Sequence, residues 1–271
     1  MDNTELNRLH ECHLRLVDEL DRVCKKLGIQ YFLDSGTALG AVRHGGFIPW
    51  DDDVDIGMPR ADYQILITDG PKCFKDEYFL QTRETEPNYG KFAGKLRMRN
   101  TFFPDHSSVT FKERGIYIDI YPFDYVADDE KKALRDIAIS RKLFRLIRLR
   151  DAKGRRKNPF MKVLSLLLQA FSKKYLDNKF ERFCQKYNAT PTKHMTCYSY
   201  RMASMMDLIF PTDAMFPTHN VKFEDREYQI MNDANTYLRI MYDDYMHLPP
   251  EEKRVYHLKG NINFDSNKEV K

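Results

Sequence analysis

Apolar residues recur at Leu6, Leu9, Leu16, Leu20, Val23 and Leu27. This spacing follows the 3.6-residue period of a helix with one buried stripe. It predicts a helix from about Glu5 to Leu27, with Asn3 or Thr4 as N-cap and Gly28 as the stop. IQYFLDSG then reads as a short buried strand, SGTALGAVRH as a tight turn opening a helix, and RADYQILITDG as a helical segment ending at Gly70. EYFLQTR, YGKFAGKLRMRNT and ERGIYIDIYPFDYV read as further strands. In the last of these Asp119 alternates with Ile118 and Ile120, which puts a carboxylate on the strand's polar face.

Beyond Asp128 the pattern changes. Residues 129–188 read as helical with a break near Gly154 to Pro159. In the first half Arg141, Lys142, Arg145, Arg148, Arg150, Lys153, Arg155, Arg156 and Lys157 face a single acid, Asp151. Beside Leu143, Phe144, Leu146, Ile147 and Leu149, these bases could make peripheral contact with anionic lipid, or form the solvated face of a helical bundle. From Cys197 to His257 short strands mix with a helix. The chain therefore divides into a core over 1–127, a basic helical insertion over 128–196, and a C-terminal segment over 197–271 that completes the core and its cleft.

With 271 residues, 42% apolar and 31% charged, the chain has the composition of a globular protein, not a disordered one. A net charge of only +4, with no nucleic-acid reading motif, argues against a nucleic-acid partner. The N-terminus lacks the basic start and apolar core of a signal peptide, and no apolar run reaches the ~18 residues of a membrane span. The expected location is cytoplasmic, with contact at the inner face of the membrane open for the basic helices. Five cysteines without a C-x-x-C pair predict reduced thiols. His10, Cys12 and His13 in HECH, and His194 with Cys197 in HMTC, lack zinc spacing and read as packing.

Two stretches point to chemistry. In DDDVDI, Asp51, Asp52, Asp53 and Asp55 fall within five positions. On a strand Asp53 and Asp55 would share a face opposite Val54 and Ile56. Adjacent carboxylates repel, and a hard divalent cation with oxygen ligands relieves that repulsion. An exposed acidic turn is the other reading of D-x-D alone. Just upstream, Ser35, Gly36 and Thr37 follow a strand and open a helix. Such a helix mouth can bind an anion through close backbone approach, hydroxyls and the helix dipole.

LDSGTALGAVRHGGFIPWDDDVDIGMPRADY, with GKLRMRNT, GIYIDIYPFD, FEDREY and YLRIMYDDYMHLPPEEKRVYH, resembles the LicD family of phosphocholine transferases, relatives of fukutin and fukutin-related protein. The resemblance spans nearly the whole chain. It implies an α/β fold: a mixed-sheet, nucleotidyltransferase-like catalytic core with a helical insertion. The implied activity moves phosphocholine, or a similar phospho-substituent, from a CDP-linked donor such as CDP-choline to a hydroxyl of a cell-surface glycan, lipopolysaccharide or teichoic-acid precursor.

On this reading Asp53 and Asp55 hold Mg²⁺ or Mn²⁺ against the donor, and Asp119 binds a second metal or accepts the acceptor's proton. Ser35, Gly36 and Thr37 hold phosphate oxygens. Arg43, Lys95 and Arg97 neutralise donor charge, while Asp51 and Asp52 orient the entry turn and the metal's water. Glu224, Asp225, Tyr228, Tyr242, Asp244, Tyr245 and His257 could cage a quaternary ammonium or simply pack. Two alternatives stay open: a nucleotidyltransferase acting on a sugar phosphate or small molecule, and a catalytically silent binding module.

Overall fold

The computed structural model describes residues 2–86, 89–104, 111–152, 158–200, 208–254, 256 and 260–265. The chain forms two compact units, Met1–Pro122 with Asp213–Lys271, and Phe123–Thr212. The sequence reading put its divisions after residues 127 and 196. His257 and the bases Lys153, Arg155, Arg156 and Lys157 lie outside the described residues.

The first unit opens with α1 (Asn3–Leu27). Its N-cap is Asp2, not Asn3 or Thr4, because the Asp2 carboxylate accepts the Glu5 amide at 2.8 Å. Gly28 ends the helix in the left-handed region, φ 65°. Leu6, Leu9, Leu16, Leu20 and Val23 are buried, as their period demands. β1 (Phe32–Leu33), α2 (Ser35–His44), β2 (Asp55–Pro59), α3 (Arg60–Asp69), β3 (Tyr78–Gln81), β4 (Gly94–Met98) and β5 (Tyr117–Tyr125) follow.

These strands order as β1-β2-β5-β4-β3. β1 runs antiparallel to β2 with Phe32 opposite Gly57, and any side chain on Gly57 would strike the Phe32 ring. β4 runs antiparallel to β3 and to β5, pairing Lys95 with Gln81 on one side and with Asp119 on the other. Because β5 lies between β2 and β4, its polar face is not solvent: Asp119 is buried together with Ile118 and Ile120.

The second unit holds α4 (Glu130–Asp151), α5 (Pro159–Leu167), α6 (Lys173–Cys184), β6 (His194–Thr196) and β7 (Phe210–Pro211). β6 pairs antiparallel with Asp124 and Tyr125 at the end of β5, and with β7. Asn188 ties this edge down, donating to Asp124 at 2.7 Å and accepting from the Tyr125 amide at 2.9 Å. α4 packs on α6 through Phe144 and Phe180, whose ring centroids lie 5.9 Å apart.

The chain then returns to the first unit through α7 (Thr212–Met215), the hairpin β8 (His219–Phe223) and β9 (Arg226–Ile230), and α8 (Ala234–Tyr242). The architecture is mixed α/β. None of the five cysteines forms a disulfide among the described residues. No helix among the described residues is long and apolar enough to cross a membrane.

Candidate active site

The site begins where β1 turns into α2. Asp34 caps the helix: its Oδ1 accepts the Ser35 amide at 2.8 Å and the hydroxyl of Tyr237 from α8. Ser35 has φ 48°, a conformation that a residue with a Cβ adopts only when its surroundings impose it. Its hydroxyl is buried without a hydrogen-bond partner among the described residues. Strain and an unmet hydroxyl at the mouth of a helix are the features expected of an anion site. Thr37 is differently engaged, since its Oγ1 accepts the Asp55 amide at 3.0 Å and so pins β2 to α2.

The acidic stretch enters β2 from a turn. The strand starts at Asp55, and Asp53 stands just before it; Asp53 and Asp55 are half-buried while Val54 and Ile56 between and beyond them are buried. The two acids interact. Burial first, then Asp53, Asp119, Asp34 and Asp51, push the Asp55 carboxyl well above the usual carboxylate range. Asp52 is buried. The carbonyl of Asp51 accepts from His10 Nε2 at 2.8 Å, and that imidazole stacks on Phe47 with centroids 3.8 Å apart. His10 therefore braces the acidic turn.

On β5, Asp119 Oδ2 accepts from Lys95 Nζ at 3.0 Å, and Lys91 Nζ lies 3.7 Å from Oδ1. Burial would raise the Asp119 pKa, but Lys91, Lys95 and Arg97 outweigh it and hold the carboxyl below its ordinary value. Its Oδ1 has no hydrogen-bond partner among the described residues. Lys95 and Arg97 share a face, as alternation predicts, and both stand over the Tyr117 ring, at 2.9 Å and 4.8 Å from its centroid. Arg97 is fully buried, donating to Gln81 Oε1 at 2.7 Å and to the Gly115 carbonyl at 2.8 Å. Among the described residues no three His, Cys, Asp or Glu side chains already close on one point as a metal cage.

Beside Gly36 opens a cavity of about 350 Å³ lined by Arg43, Trp50, Asp51, Tyr242, Asp244 and Tyr245, among others. A Cβ on Gly36 would sit 3.0 Å from Asp51 Oδ2, so glycine lets the Asp51 carboxylate approach α2 closely at the cavity's edge. Arg43 donates to the carbonyls of Tyr245 at 2.6 Å and His247 at 3.4 Å, which straps the chain after α8 against α2. Tyr242 carries the acids' influence into the cavity: burial, then Asp55, Asp34, Asp51 and Asp53, hold its hydroxyl well above the ordinary tyrosine range.

Tyr228, by contrast, is a structural residue, its hydroxyl on Asp18 Oδ1 at 2.7 Å. Glu224 accepts the Phe47 amide at 2.9 Å and fixes the loop after α2. Asp225 pairs with Arg226 at the surface. Sequence reasoning missed Asp34, Trp50, Lys91 and Tyr237. Trp50, the only tryptophan and set directly before the acids, was the one with a visible signal.

Residues 28–163 match the family described as LicD/FKTN/FKRP, nucleotidyltransferase domain, which is half of the chain and contains Ser35, Asp53, Asp55 and Asp119. The chain belongs to the LicD family. Within it, the lipopolysaccharide cholinephosphotransferase LicD of Haemophilus influenzae is 27% identical over 256 residues, covering 90% of this chain and 92% of that protein. Ribitol 5-phosphate transferase FKRP of human and of mouse is 47% identical over 55 residues, 19% of this chain and 11% of FKRP. The LicD-family likeness thus runs along nearly the full chain with the bacterial relative and is short and dense with the animal ones.

Proposed function

We propose that this LicD-type transferase moves phosphocholine, or a similar phospho-substituent, from a CDP-linked donor to a hydroxyl of a cell-surface glycan, lipopolysaccharide or teichoic-acid precursor. The observation that carries the reading is the crowding of Asp53, Asp119, Asp34 and Asp51 around half-buried Asp55. Such a group is poorly tolerated alone and well suited to a hard cation. Asp53 and Asp55, with Asp119 Oδ1, which no hydrogen bond engages among the described residues, would hold Mg²⁺ or Mn²⁺. Bound there, the ion supplies charge neutralisation and alignment of phosphoryl oxygens.

The chain's own groups divide the remaining work. The Ser35 hydroxyl and the α2 amides that follow Ser35, whose own amide is held by Asp34, bind a phosphate oxygen. Asp119, kept ionised by Lys91 and Lys95, suits a ligand role better than that of a general base, which works best with a pKa near the operating pH. In the transfer the acceptor oxygen forms a bond to the phosphocholine phosphorus. The bond from that phosphorus to the bridging oxygen breaks, CMP leaves, and the hydroxyl proton passes to a carboxylate or solvent.

The cavity supports choline as the head group. Trp50, Tyr242 and Tyr245 offer aromatic faces and Asp51 and Asp244 offer carboxylates, the two features that hold a quaternary ammonium, while Arg43 and Lys253 on the same lining would face the donor's phosphates. The relatives' names, a cholinephosphotransferase and a ribitol 5-phosphate transferase, agree in moving a phospho-substituent and differ in its head group.

Calorimetric titration with CDP-choline, with and without Mg²⁺, on the native chain and on Asp53→Asn/Asp55→Asn tests the proposal. Metal-dependent binding that the double variant loses supports it. Absence of binding in both conditions refutes a CDP-choline donor.

A further inference from the structure

The second unit carries a helix whose polar side is the seated one. In α5 only Ser165 is buried. Its hydroxyl donates to the Leu149 carbonyl at the end of α4 at 2.7 Å. One turn on, Gln169 donates to the Arg150 carbonyl at 2.6 Å, and Arg150 returns a bond to the Phe171 carbonyl at 2.9 Å. Hydrogen bonds thus fasten the helix by its few polar groups.

Its apolar side chains point the other way. Phe160 is 73% exposed, Val163 56%, Leu166 52% and Leu167 66%, and Phe171 and Tyr175 continue the patch at 48% and 52%. Globular surfaces rarely leave that many large apolar side chains together without a use for them. No aspartate or glutamate occurs from Asn158 to Leu176, whereas Lys162 and Lys174 are exposed there, as are Arg145 and Arg148 on the last turns of α4. Phenylalanine and leucine outward with basic residues around them match a headgroup layer: the rings enter the acyl boundary and the lysines meet anionic headgroups.

We propose that α5 and the turn after it form a monotopic docking surface for an anionic lipid bilayer. The charge distribution selects this occupant, since a segment from Asn158 to Leu176 that carries exposed Lys162 and Lys174 and no acid is complementary to anionic headgroups and is repelled by a second copy of itself. The inference is independent of the donor chemistry above.

The test is vesicle co-sedimentation of the full chain, using phosphatidylcholine vesicles with and without about one third phosphatidylglycerol. The expected result is association with the anionic vesicles that weakens steeply with salt. Phe160→Asp/Leu167→Asp should reduce association about tenfold or more, and Lys162→Glu/Lys174→Glu should reduce it on anionic vesicles. These positions are exposed, so circular dichroism and melting temperature should stay unchanged. Association unaffected by both variants would overturn the proposal, as would no association at low salt. So would concentration-dependent self-association that Phe160→Asp/Leu167→Asp abolishes.

Discussion

Lys95 Nζ lies 3.0 Å from Asp119 Oδ2, on directly paired residues of β4 and β5, with the lysine only 1% exposed. Sequence alone made Lys95 a donor-phosphate ligand. Its burial makes it first the counter-charge of Asp119. Removing one partner of a buried pair strands the other, so Lys95→Met should lower stability by about 3 kcal/mol or more in urea denaturation. Lys95→Met/Asp119→Asn should recover much of that loss. If the double variant is as unstable as the sum of the single ones, the two residues do not act as a pair.

The carboxylate group makes the opposite prediction for Asp55. Its repulsion from Asp53, Asp34, Asp51 and Asp119 works against the fold at neutral pH, because burial and those neighbours both disfavour the charged form. Asp55→Asn should therefore abolish turnover while leaving the melting temperature equal to or above that of the native chain. Asp53→Asn should abolish turnover with little thermal change. A marked drop in melting temperature with activity retained would make these acids structural.

A pH dependence of stability follows from His13, which is buried with Nδ1 unpartnered among the described residues. Burial first, and then neighbouring His10, bring its pKa from 6.5 down to about 3, against opposing pulls from Asp52 and a Tyr117 backbone contact. The unfolded chain takes up this proton near pH 6.5 and the folded chain only near pH 3, so between those values the unfolded state holds one proton more. Stability is complete above the higher value and declines by about 1.4 kcal/mol per pH unit as the solution is acidified below it. His13→Leu should flatten that acid limb, measured as unfolding free energy from pH 7 to pH 4; an unchanged slope would assign the decline to other groups.

What the sequence disclosed was mostly local. The period of α1, the strand-to-helix turn at Ser35 and the alternation that puts Lys95 and Arg97 over one ring are all relations between near neighbours, and these recur in the structure. The start of β2 at Asp55 was not legible, because the acids that precede it read as strand while the register with β1 pairs Leu33 with Ile56 and Phe32 with Gly57. Nor was Tyr237 on Asp34, which joins residues 203 positions apart through the docking of α8. The apolar run of α5 misleads in another way. Its composition reads as core, yet Ser165 and Gln169 seat the helix by hydrogen bonds and its apolar side faces out.

The cavity wall brings together Trp50 and the chain after α8, and this gives the sharpest test of head-group choice. If Trp50, Tyr242 and Tyr245 hold a quaternary ammonium, Trp50→Ala removes one face of the cage. Cation–π contacts contribute about 0.5–2 kcal/mol, so CDP-choline should bind roughly 2- to 30-fold more weakly. CMP, which lacks the ammonium, should bind the variant as it binds the native chain. A loss equal for both ligands would mean that Trp50 supports the nucleotide instead, or merely packs beneath Arg254, whose guanidinium lies 5.1 Å from its ring. Arg43→Ala separates those outcomes: by releasing the Tyr245 and His247 carbonyls it should loosen the tyrosine wall and weaken CDP-choline alone, with Trp50 left in place.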